Sequence, residues 1–435
     1  MAHTPVVKAA VALVALIVAG TATACSEDRA AEDSSRTTSP DAAECREDLL
    51  ACARETSIGD LVPDDPTEAT GEPIVLGMMN QENTPVGSFP ELSQATQAGI
   101  DFVNEQLGGV GGRPLELDVC NTEFSTEGST ACAQRFVQAE VPAVLGGIDV
   151  FGTGIETLAD NDIPYLGGIP VSDQSVTNPI SYQWSGGIWG ASVAFAAHSA
   201  RELGASRAAI VYGEFGPITQ AAEFGRDTLE ALGADEVQLI PHPIVSTDLT
   251  SPIQAAASND PDVVFVLTAD TGCKAAFDAV QTVGLEAQMF YVGACASPNI
   301  IAQATPEQTN GAIFNVEGEI DRDSPNPDTE LYVAVVEEYG DGLDPIGAGT
   351  VTFRSFMNVY AVLRGLDEVT PAAIIESLQG QAETPSFMGH PYTCDGEQFE
   401  GLPGLCSPQQ ILAQIDEGEL TQVGTWIDPG EEYPG

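Results

Sequence analysis

Positive charge is scarce in this sequence. Lysine occurs twice, at Lys8 and Lys274, and lysine plus arginine total 14 against 65 acidic residues, a formal charge of −51 over 435 residues. This balance argues against a nucleic-acid partner, whose phosphates need basic contacts, and against electrostatic docking on anionic lipid. Its plain reading is a heavily solvated acidic surface of the kind that salt adaptation favours. The four histidines are scattered and no CxxC pair occurs, so no metal site is expected. The GxSxG elbow, the HExxH helix and the GxxxxGKS/T loop are all missing, which removes common hydrolase, metalloprotease and nucleotide-binding signatures. His198 has apolar neighbours, His242 lies between two prolines, and neither reads as catalytic. Neither a cofactor nor an enzymatic activity is expected.

Long hydrophobic runs are also lacking. The run from Ala9 to Gly20, behind a weak basic start at His3 and Lys8, is short for a membrane span and reads as the core of a signal peptide over 1–24. The following Ala22-Thr23-Ala24-Cys25 resembles the lipobox of bacterial lipoproteins, which implies lipid on Cys25 and a membrane held through that N-terminal lipid. The alternative is an ordinary secretory signal with Cys25 incidental. Residues 25–72, rich in Asp, Glu, Ser, Thr and Pro, read as the lipidated start of a flexible tether.

With Cys25 set aside, eight of nine cysteines remain, an even number suited to an oxidising compartment. Sequential pairing gives Cys45–Cys52, Cys120–Cys132, Cys273–Cys295 and Cys394–Cys406, each within one βα or loop segment. It is one of about a hundred possible connectivities.

What is present in abundance is βα alternation. PIVLGMM from Pro73 reads as a strand, Asn80 to Pro90 as a polar loop, and Leu92 to Leu107 as an amphipathic helix stopped by the glycines at 108–112. Strands near 115–119, 141–147 and 163–168 follow, and ISYQW ends the series. A second series runs from the helix at Ile188 through RAAIVYG, VQLI, PDVVFVLTAD and MFYVGA. Two such series indicate an α/β fold of two similar doubly wound parallel-sheet lobes. Gly311 to Glu317 reads as a strand returning to the first lobe, and the chain end as returning to the second. The expected division is 73–186 plus 311–385 for lobe I and 187–310 plus 386–435 for lobe II.

These pieces in this order resemble the type I periplasmic solute-binding proteins, in the branch of the leucine/isoleucine/valine-binding proteins of branched-chain amino acid ABC transporters. The resemblance rests on FVNEQLGGVGGRPLEL and VPAVLGG in lobe I, and on AAIVYGEFGPITQAAEF, Thr247-Asp248-Leu249-Thr250-Ser251 and PDVVFVL in lobe II, over about residues 73 to 425. It implies three crossovers between the lobes and closure of a hinge on a small-molecule solute. It also implies ABC transporter permease subunits as partners, a place on the outer face of the cell membrane, and action as a monomer. A sensory receptor module that signals without transport would look the same.

Carried over by position, the resemblance places ligand contacts at Val86, Gly87, Ser88 and Phe89, at Ile148 and Asp149, and at Gly168 and Ile169 in lobe I. In lobe II it places them at Tyr212, Glu214 and Phe215, at Asp270 and Thr271, and at Ala294. Phe89 has the alternative role of a packing plug, Asp149 that of a helix cap, and Lys274 reads as solvated or ion-paired. Amino-acid binders of this family hold the α-carboxylate with hydroxyls and backbone N–H groups of two lobe I loops, and the ammonium with carboxylates. Here those loops, Gly147-Ile148-Asp149 and Gly167-Gly168-Ile169-Pro170, contain no serine or threonine. An amino acid, an uncharged or apolar molecule, and a cation paired with Asp149 stay open as ligand classes.

Overall fold

The computed structural model describes residues 42–435 apart from 66, 85–86, 319–325 and 417, with the side chains of 42–44 also outside the description. The expected signal peptide, Cys25, the first part of the tether and Val86 therefore lie outside the described residues.

Residues 42–62 correct the tether reading. Two short helices, α1 (Ala42–Glu47) and α2 (Leu49–Arg54), are stapled by the Cys45–Cys52 disulfide and bury Cys45 and Ala53 completely. Composition suggested an unstructured segment, but Cys45, Cys52, Ala53 and Ile58 supply enough apolar surface to join a lobe I core once the disulfide holds the helices together.

The first lobe is built on β1 (Ile74–Asn80), whose near-continuous burial is what a central parallel strand requires. Helix α3 (Pro90–Gln106) follows, with Pro90 in its first turn and Gly108, at φ +76°, just beyond its end. Then come β2 (Leu115–Asn121), α4 (Thr126–Gln138), β3 (Val144–Gly146), α5 (Thr153–Ala159), β4 (Tyr165–Leu166), α6 (Asp173–Thr177) and β5 (Ser181–Tyr182). The sheet order is β2-β1-β3-β4-β5, all parallel. Helices cover both faces. Gly77 lets the Phe136 ring of α4 lie where a Cβ would come within 2.8 Å of it.

The second series runs α7 (Gly187–Arg201), β6 (Arg207–Gly213), α8 (Gly216–Ala231), β7 (Glu236–His242), α9 (Thr250–Ala257), β8 (Val263–Leu267), α10 (Asp270–Val283), β9 (Gln288–Tyr291), α11 (Pro298–Ile301), α12 (Pro306–Thr309) and β10 (Ile313–Val316). Its core is a ring cluster of Phe195, Phe265 and Phe290, with centroids 5.2–5.6 Å apart. The chain returns through α13 (Pro327–Tyr339), α14 (Gly349–Arg364), α15 (Pro371–Gln379), β11 (Thr384–Ser386) and β12 (Gly389–Tyr392). It ends with the hairpin β13 (Gln410–Asp416) and β14 (Glu419–Ile427) and a last turn, α16 (Pro429–Glu432). The second sheet has the order β14-β13-β10-β9-β8-β6-β7.

Two placements differ from the sequence expectation. β10 does not return to lobe I: Ile313 and Phe314 pair with Phe290 and Tyr291 of β9, and β13 pairs antiparallel on its other side. Its apolar residues would suit either sheet, and the open edge of β9 takes them. The stretch from Ser386 to Tyr392, expected in lobe II, lies on lobe I, where Phe387 N donates to Asn358 Oδ1 at 2.9 Å and Met388 N to Asp328 Oδ2 at 2.7 Å. Helix α14 itself packs on α3, close enough that a Cβ on Gly99 would lie 2.8 Å from the Phe356 ring.

The three crossovers pass a single buried ion pair. Glu317 follows β10, Arg354 belongs to α14, and their side chains are 7% and 4% exposed at 2.9 Å. Arg354 Nη2 also donates to the Trp184 carbonyl at 2.6 Å, and its Nη1 to the Glu317 carbonyl. Ser185 Oγ, on the first crossover, donates to Glu317 Oε1 at 2.6 Å, and Gln410 Nε2, at the third, donates to the same oxygen at 3.3 Å. Removing one partner leaves a buried charge unmatched, so Arg354→Met is expected to cost about 3–5 kcal/mol in urea unfolding. Adding Glu317→Gln should recover part of that loss, and a double variant no more stable than the single one would contradict the pairing.

Candidate functional site

The loops at the carboxyl ends of the two sheets face a cleft of about 960 Å³. Asn80, the last residue of β1, organises the lobe I side. Its Nδ2 donates to the Phe89 carbonyl at 2.8 Å, and its Oδ1 accepts from Ile148 N at 3.2 Å. One buried amide side chain thus ties the loop before α3 to the loop after β3.

Six of the residues proposed from the sequence line this cleft: Phe89, Ile148 and Ile169 from lobe I, and Phe215, Asp270 and Ala294 from lobe II. Phe89 is therefore a wall of the cleft as well as the residue before α3. Others point elsewhere. Asp149 is 3% exposed and accepts from Ser129 Oγ at 2.7 Å, and Ser129 Oγ in turn accepts from Gly154 N at 2.8 Å. Its carboxylate secures the start of α5 rather than facing solute, which corrects the cation reading at that position. Ser88 is exposed and takes the Asn83 amide at 2.9 Å. Gly87 closes the same small loop by a bridge to Thr84. Gly168, at φ +91°, sits against the backbone of Gly146, where a Cβ would come within 2.5 Å of a carbonyl carbon. Tyr212 is buried in the lobe II core, Glu214 is exposed with its amide on the His242 carbonyl at 2.7 Å, and Thr271 is not in the lining.

The sequence reading missed Glu91, Phe124, Val150, Val171 and Ile188 in the lining. Val150 and Val171 were within reach of it, since each stands two residues beyond a named contact in the same loop. Phe124 was not: it belongs to the loop after β2 and reaches the cleft through a ring chain. Phe124 meets Phe151 at 5.2 Å, and Phe151 meets Phe215 at 6.0 Å, edge to face, from one lobe to the other.

The charged groups of the cleft are carboxylates. Asp270, at the first position of α10, has its pKa pushed up to about 7, first by burial and then by the negative charge of Glu91, against the pull of its own backbone amide. Burial likewise raises Glu91, opposed by its own amide, with Glu82 adding to the rise. Lys274, one turn into α10, is bonded to Asp278 at 2.6 Å, the ion-paired role expected of it. The Cys273–Cys295 disulfide, with Cα atoms 5.3 Å apart, joins α10 to the loop carrying Ala294 and so fixes the lobe II wall. Cys120–Cys132 and Cys394–Cys406 are formed as well. Among the described residues no group of three or more His, Cys, Asp or Glu is placed to hold a metal, and no helix is long and apolar enough to cross a membrane.

The comparisons agree with this geometry. The family model described as periplasmic binding protein matches residues 73–400, and the chain belongs to that family. It is a binding protein rather than an enzyme. No curated protein matches the chain. Among solved structures, it is similar to a leucine-binding protein, LivK, from Thermotoga maritima, at 17% identity and a TM-score of 0.66 over 83% of this chain and 100% of that one. The branched-chain amino acid transporter substrate-binding protein LivJ from Streptococcus pneumoniae, in complex with isoleucine, gives 13% identity and 0.66 over 81% and 99%. A solute-binding protein of an ABC transporter from Rhodopseudomonas palustris, in complex with p-hydroxybenzoic acid, gives 18% and 0.66 over 83% and 99%.

The raised carboxyl has a consequence for stability. Between the ordinary aspartate value near 4 and about 7, the unfolded chain ionises Asp270 while the folded one keeps it protonated. The contribution of this group to stability is therefore full at low pH and is lost as pH rises through about 7. Asp270→Asn is expected to melt several degrees above the parent at about pH 8 and level with it at about pH 4. An equal difference at both pH values, read by calorimetry without solute, would show that Asp270 is not perturbed.

Proposed function

We propose that the protein is an extracytoplasmic solute-binding lipoprotein. It is held to the membrane by lipid on Cys25, closes as a monomer on one small molecule, and delivers it to the permease subunits of an ABC importer. The observation that carries the reading is the cleft itself: both sheets direct the loops at their carboxyl ends into it, and apolar side chains from both lobes wall it. A solute that touches both walls only when the lobes are together would stabilise the closed form by the contacts it gains there. The relatives crystallised with isoleucine and with p-hydroxybenzoic acid support a small organic solute.

A thermal-shift screen over amino acids, amides, aromatic acids and amines identifies the solute, since occupancy at a hundred times Kd adds about 2.7 kcal/mol to stability. Deleting the gene should then abolish high-affinity uptake of that compound, and Cys25→Ser should move the protein from the membrane to the medium with solute binding intact. Unchanged uptake together with loss of a transcriptional response to the solute would instead identify a sensory receptor.

A further inference from the structure

In the first lobe the groups that would hold a carboxylate are already taken. Gly147 N donates to the Met79 carbonyl at 2.9 Å, and Ile169 N to the Gly147 carbonyl at 3.0 Å. Ile148 N is bonded to Asn80 Oδ1 at 3.2 Å, and Gly168 N to Ser355 Oγ at 3.4 Å. These two loops carry no hydroxyl side chain from 147 to 149 or from 167 to 170. Among the described residues that line the cleft there is no lysine, arginine or histidine. Arg354 is committed to Glu317 and to two backbone carbonyls. An anionic solute would leave water for apolar walls, carboxylates and neutral polar groups such as Gln81, Thr268 and Ser297, with no basic side chain among the described lining residues to match its charge.

A cation meets the opposite situation. Glu91 enters the cleft from lobe I and Asp270 from lobe II, and both line it. Phe89 and Phe215 add ring faces from the two lobes, which attract an ammonium group where water is thin.

We propose that the solute is an apolar molecule with one protonated amine and no carboxylate, its nitrogen held between Glu91 and Asp270 and its apolar part against the walls of both lobes. The assignment rests on the reading of this cleft as the solute site, and it deepens that reading by fixing the chemical class. The positive nitrogen removes the repulsion between two carboxylates from opposite lobes, so the same contact that binds the solute favours closure. An amino acid fits less well, because its carboxylate would meet no basic side chain among the described lining residues.

The test uses three molecules of one shape on the secreted full-length protein: 2-phenylethylamine, 2-phenylethanol and 3-phenylpropionate. Calorimetric titration is expected to show the amine binding at least about tenfold more tightly than the alcohol, a difference of about 1.4 kcal/mol, with the carboxylate weakest. In Glu91→Gln and Asp270→Asn the amine should lose about tenfold each and approach the alcohol, while binding of the alcohol stays within about twofold, which separates lost charge recognition from lost folding. Binding of 3-phenylpropionate equal to or tighter than the amine overturns the proposal. So does binding of a zwitterion or an anion from the wider screen when all three probes are silent, and in that case the solute-binding reading still stands. Silence toward every compound of the wider screen overturns the solute-binding reading itself and the proposal with it.

Discussion

The pairing of Glu317 with Arg354 is the interaction on which the two-lobe arrangement turns. Burying both charges is costly in itself, and their attraction offsets that cost only when the remaining donors and acceptors are also matched. Here the matching groups come from the crossovers, and only Arg354 Nε finds none among the described residues. Trp184 and Ser185 lie on the first, Glu317 stands at the start of the second, and Gln410 at the end of the third. Asn315 Nδ2 adds a bond to Gln410 Oε1 at 3.1 Å and ties β10 to β13 at the same point. The lobes cannot separate at this knot without stranding a charge. A hinge needs such a fixed point, because closure that lets the crossovers slide would not bring the same loops together each time.

Away from the knot, two contacts across the cleft pull in opposite directions. The Phe151 and Phe215 rings meet edge to face at 6.0 Å, an attraction worth about 0.5–1.5 kcal/mol beyond buried area. Glu91 and Asp270 repel, and that repulsion strengthens as water leaves the cleft. Near neutral pH the empty cleft relieves it by holding a proton on Asp270, whose pKa lies at about 7. The Cys273–Cys295 disulfide keeps Asp270 and Ala294 on one rigid wall throughout.

Much of this was legible in the sequence. The order of βα units and the two lobes follow from periodicity, and the sequential disulfide pairing, one of many the spacing allowed, is the one formed. The loops that face the cleft were named through the family resemblance, and they lie where parallel sheets present ligands, at the carboxyl ends of their strands. Which side chain of a loop points inward was less legible. Asp149 could be read as a ligand contact, a cation partner or a helix cap, and its bond to Ser129 of the preceding helix places it at the start of α5 rather than in the lining. Glu91 was not singled out from the sequence, and its presence with Asp270 in one cleft exists only once both lobes are assembled. β10 was assigned to the wrong sheet because a four-residue apolar strand carries no mark of its neighbours. The N-terminal helices were missed because composition does not weigh a disulfide that concentrates a few apolar residues.

The claim beneath all of this is that the lobes move toward each other about the buried knot when solute enters. Small-angle X-ray scattering of the protein with and without its solute measures that motion directly. The account predicts a smaller radius of gyration and a shortened maximum dimension on saturation, both lost in Arg354→Met if the knot is what guides closure. Saturating, calorimetrically verified binding with superimposable scattering curves would contradict it.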